Sequence, residues 1–413
     1  MKLLRILLLF VLFCAGTLDV HALADKIQLR WTNAEDAVMY ELEVATVPIG
    51  RNQQAPQNKI IYQTTAVYTP GVELDLGLFS AKDINRLYYR VRPLDLDKNA
   101  VGRFSAPVAL SKGIVNPLKP APTTYVNKKV LTPLYPVYAW IPVLQAAQYE
   151  VEITDRAPEN PNGTAPSRHR IRAYSVGAGF DYYDTQAFTE DGVYYWRVMA
   201  YDSEGNTIGG YSDAVSFAVQ TGVHKWAVFG DSITHGGGAI SNPPSDERFD
   251  YSSYLPFPVK NLGKSGDTAA TMVERFESDV LPFRPQYLFV LGGSNSIRGG
   301  TTAREVIESL SLIKQKCAEN GITPIFLTLP PVNPERIERV FNQPTAGNWQ
   351  SELKQVNHYI KQQPYFIDIY PNLADQYGLL PVRYAQDGLH PDISGKKVMA
   401  HAVQAFLKKY KLK

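Results

Sequence analysis

The stretch that decides the fold of the C-terminal half is WAVFGDSITHG, residues 226–236. Its apolar start predicts a short buried strand, and Gly-Asp-Ser at residues 230–232 predicts a turn where that strand ends. A second strand is expected to end in Asn261-Leu262-Gly263, and further apolar runs follow at 287–291, 322–329 and 365–370. Helical patterns are expected between and after these strands, at about 269–280, 302–320, 350–362 and 394–408. This alternation predicts a parallel sheet covered by helices on both faces, with ligands bound beyond the carboxyl ends of the strands.

Polar residues follow the predicted strands where such a ligand would lie. Ser232 follows the first strand, Gly263 lies in the glycine-containing loop after the second, and Asn295 follows the third. Asp387 and His390 stand three residues apart near the C-terminus, a spacing that lets the carboxylate hold one tautomer of the imidazole. Serine is a weak nucleophile unless a base takes its proton, so a serine, a histidine and an aspartate together indicate nucleophilic catalysis.

These segments resemble, in order and position, those of the SGNH hydrolases, also called GDSL esterases and lipases, over residues 223–413. The resemblance implies a flavodoxin-like α/β domain in which Ser232, Asp387 and His390 form the catalytic triad. It also implies an oxyanion hole formed by Ser232, Gly263 and Asn295. The family often has Asp after that asparagine, whereas this chain has Ser296, which leaves open what supports the Asn295 loop. No metal or organic cofactor is expected for this chemistry.

The N-terminal half contains an internal repeat with a period near 100 residues. YELEV at 40–44 matches YEVEI at 149–153, and YRVRPLD at 89–95 matches WRVMAYD at 196–202. Short alternating strands at this period predict two β-sandwich domains, which resemble fibronectin type III modules at residues 25–115 and 116–220. We expect the repeated Trp31 and Trp140 to pack in the two cores, with carbohydrate stacking as the alternative.

The first 24 residues have the features of a secretory signal peptide. Lys2 and Arg5 precede an apolar run, and Ala22-Leu23-Ala24 offers a cleavage site ahead of Asp25. Cys14 raises a lipoprotein alternative, although a large residue precedes it. We therefore expect an exported protein, in the periplasm, on the cell surface or outside the cell. No later apolar run has the length of a membrane span, so stable membrane insertion is not expected.

Composition narrows the choice of partners. The formal net charge is only +2, which argues against nucleic acid as a partner. Cys317 is the one cysteine after position 24, so neither an intrachain disulfide nor a cysteine-based zinc site is expected. The sequence does not decide the oligomeric state.

The expected activity is hydrolysis of a carboxylic ester, with O-acetyl groups on carbohydrate or cell-wall glycan as the substrate suggested by analogy. A lipase, a lysophospholipase or a thioesterase is the alternative within the family. An alternative that is not an enzyme is a glycan-binding or adhesion protein whose hydrolase domain is catalytically inactive. The chain keeps all five residues of the triad and the expected oxyanion hole, which argues against this alternative. His235, which follows the serine, either lines the pocket or is a solvated loop residue, and Arg298 either binds an acidic substrate group or is solvated.

Overall fold

The computed structural model describes residues 26–35, 37–79, 84–123, 131–237 and 246–412. The expected signal peptide, residues 1–24, lies outside them. Within the described residues the chain forms two sheet-rich modules and a C-terminal domain in which helices cover a parallel sheet. None of the described helices combines the length and the apolar character needed to cross a membrane.

The first module consists of two antiparallel sheets with one shared core. One sheet has the strand order β4-β1-β7 and the other β3-β2-β5-β6. Leu29 of one sheet and Leu42 of the other belong to the same buried cluster. The strands are β1 (Lys26–Arg30), β2 (Met39–Ala45), β3 (Ile60–Val67), β4 (Gly71–Asp75), β5 (Tyr88–Leu94), β6 (Val108–Ala109) and β7 (Ile114–Val115).

The second module repeats this plan. Its sheets have the orders β12-β9-β8 and β11-β10-β13-β14, and Trp140 of the first sheet packs in one cluster with Val151 of the second. The fibronectin type III likeness of both modules remains a prediction. The strands are β8 (Ala121–Pro122), β9 (Val137–Ile141), β10 (Gln148–Thr154), β11 (Arg170–Val176), β12 (Asp181–Tyr183), β13 (Gly192–Tyr201) and β14 (Val215–Val219).

The repeated tryptophans pack with the cores of their modules, as expected from the sequence. Trp140 is fully buried, with its ring centroid 5.1 Å from that of Tyr149. Trp31 packs against the core of the first module, 5.3 Å from Tyr40. The alternative of an exposed stacking ring is therefore wrong for Trp140, whereas Trp31 is partly buried against its core.

The C-terminal domain contains a five-stranded sheet whose neighbouring strands all run parallel. The order β16-β15-β17-β18-β19 places the first strand of the domain between the second and the third, which is the flavodoxin-like order. The expected parallel sheet is confirmed. The strands are β15 (Trp226–Gly230), β16 (Lys260–Asn261), β17 (Tyr287–Leu291), β18 (Thr323–Leu327) and β19 (Phe366–Ile367).

Nine α-helices lie among the described residues, all in the C-terminal domain. They are α1 (Ser232–His235), α2 (Ala269–Glu274), α3 (Phe276–Val280), α4 (Ser294–Arg298), α5 (Ala303–Glu319), α6 (Pro334–Phe341), α7 (Trp349–Lys361), α8 (Tyr370–Leu373) and α9 (Ile393–Tyr410). The one helix expected at 269–280 is broken at Arg275, whose φ of −91° and ψ of 4° leave the helical region.

Both modules contact the C-terminal domain directly. In the second module, Leu134 N–H donates to Asn261 O (2.9 Å) on the edge strand β16, and Leu134 and Tyr135 belong to the hydrophobic core of the C-terminal domain. In the first module, Asn33 Nδ2 donates to Asp246 (3.3 Å). Each module is therefore joined to the C-terminal domain by direct contacts.

Candidate active site

Ser232 lies at the N-terminus of α1, immediately beyond strand β15. Asp231 begins the helix by accepting a hydrogen bond from Ile233 N–H (3.0 Å), a common way to satisfy a free amide at a helix start. Gly230 is required here, because a Cβ at this position would lie 2.0 Å from Leu291 O on the neighbouring strand. The Ser232 residue is 8% exposed, so a small reactant can reach it.

Ser232, His390 and Asp387 form one continuous chain of hydrogen bonds. Ser232 Oγ lies 2.9 Å from His390 Nε2, and His390 Nδ1 lies 2.8 Å from Asp387 Oδ2. The other carboxylate oxygen of the fully buried Asp387 accepts from the N–H groups of Leu389 and His390, both at 2.8 Å. The carboxylate is therefore held in place by the turn that carries the histidine.

Asn295 lies on α4, just beyond strand β17, so it and Ser232 flank the point where the strand order reverses. Its Nδ2 donates one hydrogen to Asp267 O (2.9 Å), which leaves the second amide hydrogen for another acceptor. Ser296, which follows it, accepts from Ala269 N–H (3.0 Å) at the start of α2. The serine thus ties the Asn295 helix to the neighbouring loop.

The expectation for Gly263 needs correction. Its N–H already donates to Asn261 Oδ1 (2.9 Å), and an added Cβ would lie 2.5 Å from His235 N. Gly263 therefore allows close packing of β16 against α1, and its amide is not free. Gly266, in the same loop, has an exposed backbone with a φ of +89°, and its N–H has no acceptor among the described residues. Sequence reasoning missed Gly266, because both glycines occur in one loop.

His235 is neither a pocket residue nor a solvated one. It is buried, its Nδ1 lies 2.8 Å from Ser265 Oγ, and its Nε2 lies 2.6 Å from Tyr135 O of the second module. The ring also packs edge-on against Tyr183 of that module, at 5.7 Å. Burial lowers the pKa of His235 to about 4, so the ring is neutral at pH 7 and bridges two domains.

Arg298 is half-buried, and both of its terminal nitrogens lie 3.2 Å from Gln343 Oε1. Its guanidinium is thus partnered within the domain. Its side chain therefore differs from the solvated arginine considered from the sequence, and nothing in these contacts indicates an acidic substrate group.

Two buried cations that sequence reasoning missed lie behind the Ser232 helix. Lys396 of α9 is fully buried and donates to Ile233 O. Burial lowers the pKa of Lys396 to about 8, while surrounding carboxylates, Asp250 and Asp231 foremost, oppose that shift. Arg275 donates to Gly230 O (3.0 Å) and pairs with Asp267. Both residues fall within helical sequence patterns, which gave no signal of this role because it depends on tertiary packing.

Within the described part of the chain, no cluster of three or more histidine, cysteine, aspartate or glutamate side chains could hold a metal ion. The groups that the site presents are a hydroxyl, an imidazole, a buried carboxylate and amide donors.

The C-terminal domain has a flavodoxin-like parallel sheet, and a serine, a histidine and an aspartate are joined by hydrogen bonds at the carboxyl edge of that sheet. These features define the class of the domain as α/β hydrolase-type. Residues 228–398 match the GDSL-like lipase/acylhydrolase family. This part of the chain is a GDSL-like lipase/acylhydrolase domain, a hydrolase of ester bonds. No curated protein matches the chain.

Several solved structures are similar to the chain. A GDSL-like lipase from Bacteroides thetaiotaomicron is 23% identical over 45% of this chain and 89% of that one, with a TM-score of 0.36. A lipase/acylhydrolase from Enterococcus faecalis is 20% identical over 45% and 97%, with a TM-score of 0.37. An acetylxylan esterase from Geobacillus stearothermophilus is 20% identical over 46% and 96%, with a TM-score of 0.35.

Proposed function

We propose that the protein is an exported serine esterase that removes small acyl groups, with O-acetylated carbohydrate or cell-wall glycan as its substrate class. The observation that carries the catalytic part is the unbroken hydrogen-bond chain from Ser232 Oγ through His390 to Asp387. Such a chain supplies what a serine lacks, which is a base within reach and a carboxylate that stabilises the resulting imidazolium.

The reaction proceeds in two steps. His390 Nε2 takes the Ser232 hydroxyl proton as Oγ attacks the ester carbonyl, and the same proton passes to the alcohol oxygen when the C–O bond breaks. Water then attacks the acyl-enzyme, with His390 again as base, which releases the acid and restores Ser232. Asp387 stays ionised throughout and holds the imidazole by its Nδ1–H.

The oxyanion of each tetrahedral intermediate needs donors that are not already used. Ser232 N–H and Gly266 N–H have no acceptor among the described residues, and Asn295 Nδ2 keeps one free hydrogen. We assign the oxyanion hole to Ser232, Gly266 and Asn295, so that Gly266 replaces Gly263 in the set expected from the sequence.

Crowding beside the Ser232–His390 pair supports a small acyl group. A Cβ at Gly237 would lie 3.1 Å from His390 Cδ2 and 3.4 Å from Ser232 Cβ. The backbone therefore approaches the reacting pair closely on this side, which favours a small acyl group.

The test is the initial rate of hydrolysis of p-nitrophenyl acetate and p-nitrophenyl octanoate by the wild type, Ser232→Ala and Ser252→Ala. Ser252 is a buried serine of the same domain and serves as the matched control. We expect Ser232→Ala to lose at least 10⁴-fold in rate, because removing a single triad member costs about 10⁴- to 10⁶-fold in kcat. Ser252→Ala should keep the wild-type rate. An acetate rate above the octanoate rate supports a deacetylase.

The opposite preference would favour the lipase alternative, and equal rates for Ser232→Ala and wild type would overturn the serine mechanism. Release of acetate from O-acetylated xylan and from O-acetylated peptidoglycan then tests the natural substrate class. Export is tested separately, by N-terminal sequencing of the protein recovered outside the cytoplasm, which should begin at Asp25.

A further inference from the structure

A loop of the first module, residues 95–99, lies against the turn that carries Asp387 and His390. Asp95 Oδ1 accepts from Asp97 N–H (2.9 Å) and Asn99 N–H (2.7 Å), which shapes the loop as a compact turn. Leu96 N–H then donates to Gln386 Oε1 (2.7 Å). Since Gln386 immediately precedes Asp387, the first module contacts the acid–base turn directly.

The Asp97 carboxylate binds two arginines of helix α6. It pairs with Arg336 Nη1 at 2.8 Å and also with Arg339. Arg336 is 12% exposed at its side chain and Asp97 25%, so the Asp97–Arg336 pair is shielded from solvent more than an ordinary surface pair. The hydrogen bond from Arg336 holds the pKa of Asp97 below its usual value, which keeps the carboxylate charged.

Helix α6 in turn holds the acid–base turn at two points. Arg336 Nε donates to Gln386 O (2.9 Å), and Asn333 N–H donates to Gly388 O (2.8 Å). The packing is close, since a Cβ at Gly388 would lie 2.6 Å from Arg336 Cβ. At the other end of α6, Phe341 packs edge-on against the His390 ring, with centroids 5.9 Å apart.

We propose that Asp97 is a positioning residue for the esterase reaction: it fixes Arg336 and helix α6, and thereby the turn that carries Asp387 and His390. The first module is then part of the catalytic unit rather than a spacer. This inference rests on the proposed function, because it assigns Asp97 a role in aligning the proposed triad.

The second module provides an internal control. Its corresponding loop, residues 202–206, has the same turn, with Asp202 Oδ1 accepting from Glu204 N–H (2.9 Å) and Asn206 N–H (2.8 Å). Glu204 occupies the place of Asp97, but it is exposed, and its hydrogen-bond partner is Asn206 of the same loop (3.3 Å). The two loops therefore share their local structure and differ in what they contact.

The experiment compares Asp97→Asn with Glu204→Gln in the full chain, using p-nitrophenyl acetate. The concentration of active sites is counted by fluorophosphonate titration, so that kcat refers to folded enzyme. We expect Asp97→Asn to lower kcat about ten-fold, less than the roughly hundred-fold that a 1 Å misplacement can cost, with KM within two-fold. Glu204→Gln should leave both constants unchanged, and Asp97→Glu should recover part of the lost kcat.

A double-mutant cycle tests the route of the effect. If Asp97 acts through Arg336, Asp97→Asn combined with Arg336→Gln should lower kcat no further than Arg336→Gln alone. An unchanged kcat in Asp97→Asn, or a loss fully additive with that of Arg336→Gln, would overturn the proposal. Failure of the proposed function would give a different result, because the wild type and Ser232→Ala would then hydrolyse the ester at the same rate.

Discussion

At the scale of the residue, the site depends on which polar groups remain unused after folding. Gly263 and Gly266 lie three residues apart, yet the side chain of Asn261 accepts from the amide of the first, whereas the amide of the second has no acceptor in the part of the chain that the structure describes. His235 is the last residue of the helix that begins at Ser232, yet both of its ring nitrogens already have hydrogen-bond partners. Residue type alone therefore indicates the kind of chemistry and does not identify the group that performs it.

The burial of His235 predicts a pH-dependent stability. Its pKa is about 4 in the folded protein against 6.5 for an exposed histidine. As the pH falls from 6.5 towards 4, the unfolded chain takes up a proton that the folded protein does not. The free energy of unfolding should therefore decrease in this window and be unaffected by His235 above it.

We expect the wild type to lose about 2 kcal/mol more between pH 7 and pH 5 than His235→Gln, measured by urea denaturation. Burial raises the pKa of Asp231 to about 6, which stabilises the fold as pH falls, but this contribution is common to both proteins and cancels in the comparison. Equal losses in the two proteins would contradict the prediction.

At the scale of the element, helix α9 supports helix α1 through one buried cation. Lys396 Nζ donates to Ile233 O, one residue beyond Ser232, and lies in the field of several carboxylates. The next residue, Lys397, is 41% exposed and pairs with Glu35 of the first module at 3.2 Å. Two adjacent lysines on one helix thus have very different environments, which makes them a matched pair.

Replacing Lys396 with methionine should destabilise the protein by about 3–5 kcal/mol, because it leaves buried carboxylates without their cation. Lys397→Met should cost less than about 1 kcal/mol, as expected for an exposed ion pair. Urea denaturation at pH 7 measures both. A similar small loss in the two variants would show that Lys396 does not compensate the buried acids.

At the scale of the whole molecule, the second module and the C-terminal domain share a hydrophobic core. Leu134 and Tyr135 belong to the core of the C-terminal domain, and Tyr135 OH also donates to the buried Asp279 (2.6 Å). The first module is connected to the C-terminal domain mainly by polar contacts, among them Asp97 with Arg336 and Asn33 with Asp246. We therefore expect the second module and the C-terminal domain to unfold together.

Matched valine truncations test this coupling. Val151 in the second module and Val44 in the first are both fully buried, so each Val→Ala change should destabilise its own module by about 2 kcal/mol. Val151→Ala should lower the temperature at which esterase activity is lost, and Val44→Ala should lower it less. Equal shifts would show that both modules are coupled to the active site to the same extent.

The sequence alone determined the order of elements and the choice of the groups that are proposed to react. Apolar runs such as 287–291 and the repeated YELEV and YEVEI strands specify short-range periodicity, which predicts strands, helices and the parallel sheet directly. Ser232 and Asn295 lie just beyond strands β15 and β17, at the starts of short helices, and Asp387 and His390 lie on one turn near the C-terminus, in the order that the motifs predicted. The bend at Arg275 was not predicted, because its side chain bonds to Gly230 O on a distant strand.

Tertiary structure decided which of these groups are free, buried or supported from another domain. The amide of Gly263 is used by a neighbouring side chain, His235 is covered by a carbonyl group 100 residues away in sequence, and Asp97 reaches an arginine 239 residues away. Local periodicity carries no information on such contacts. They form only when distant segments pack together, and packing determines both the burial of a group and the partners that remain for its hydrogen bonds.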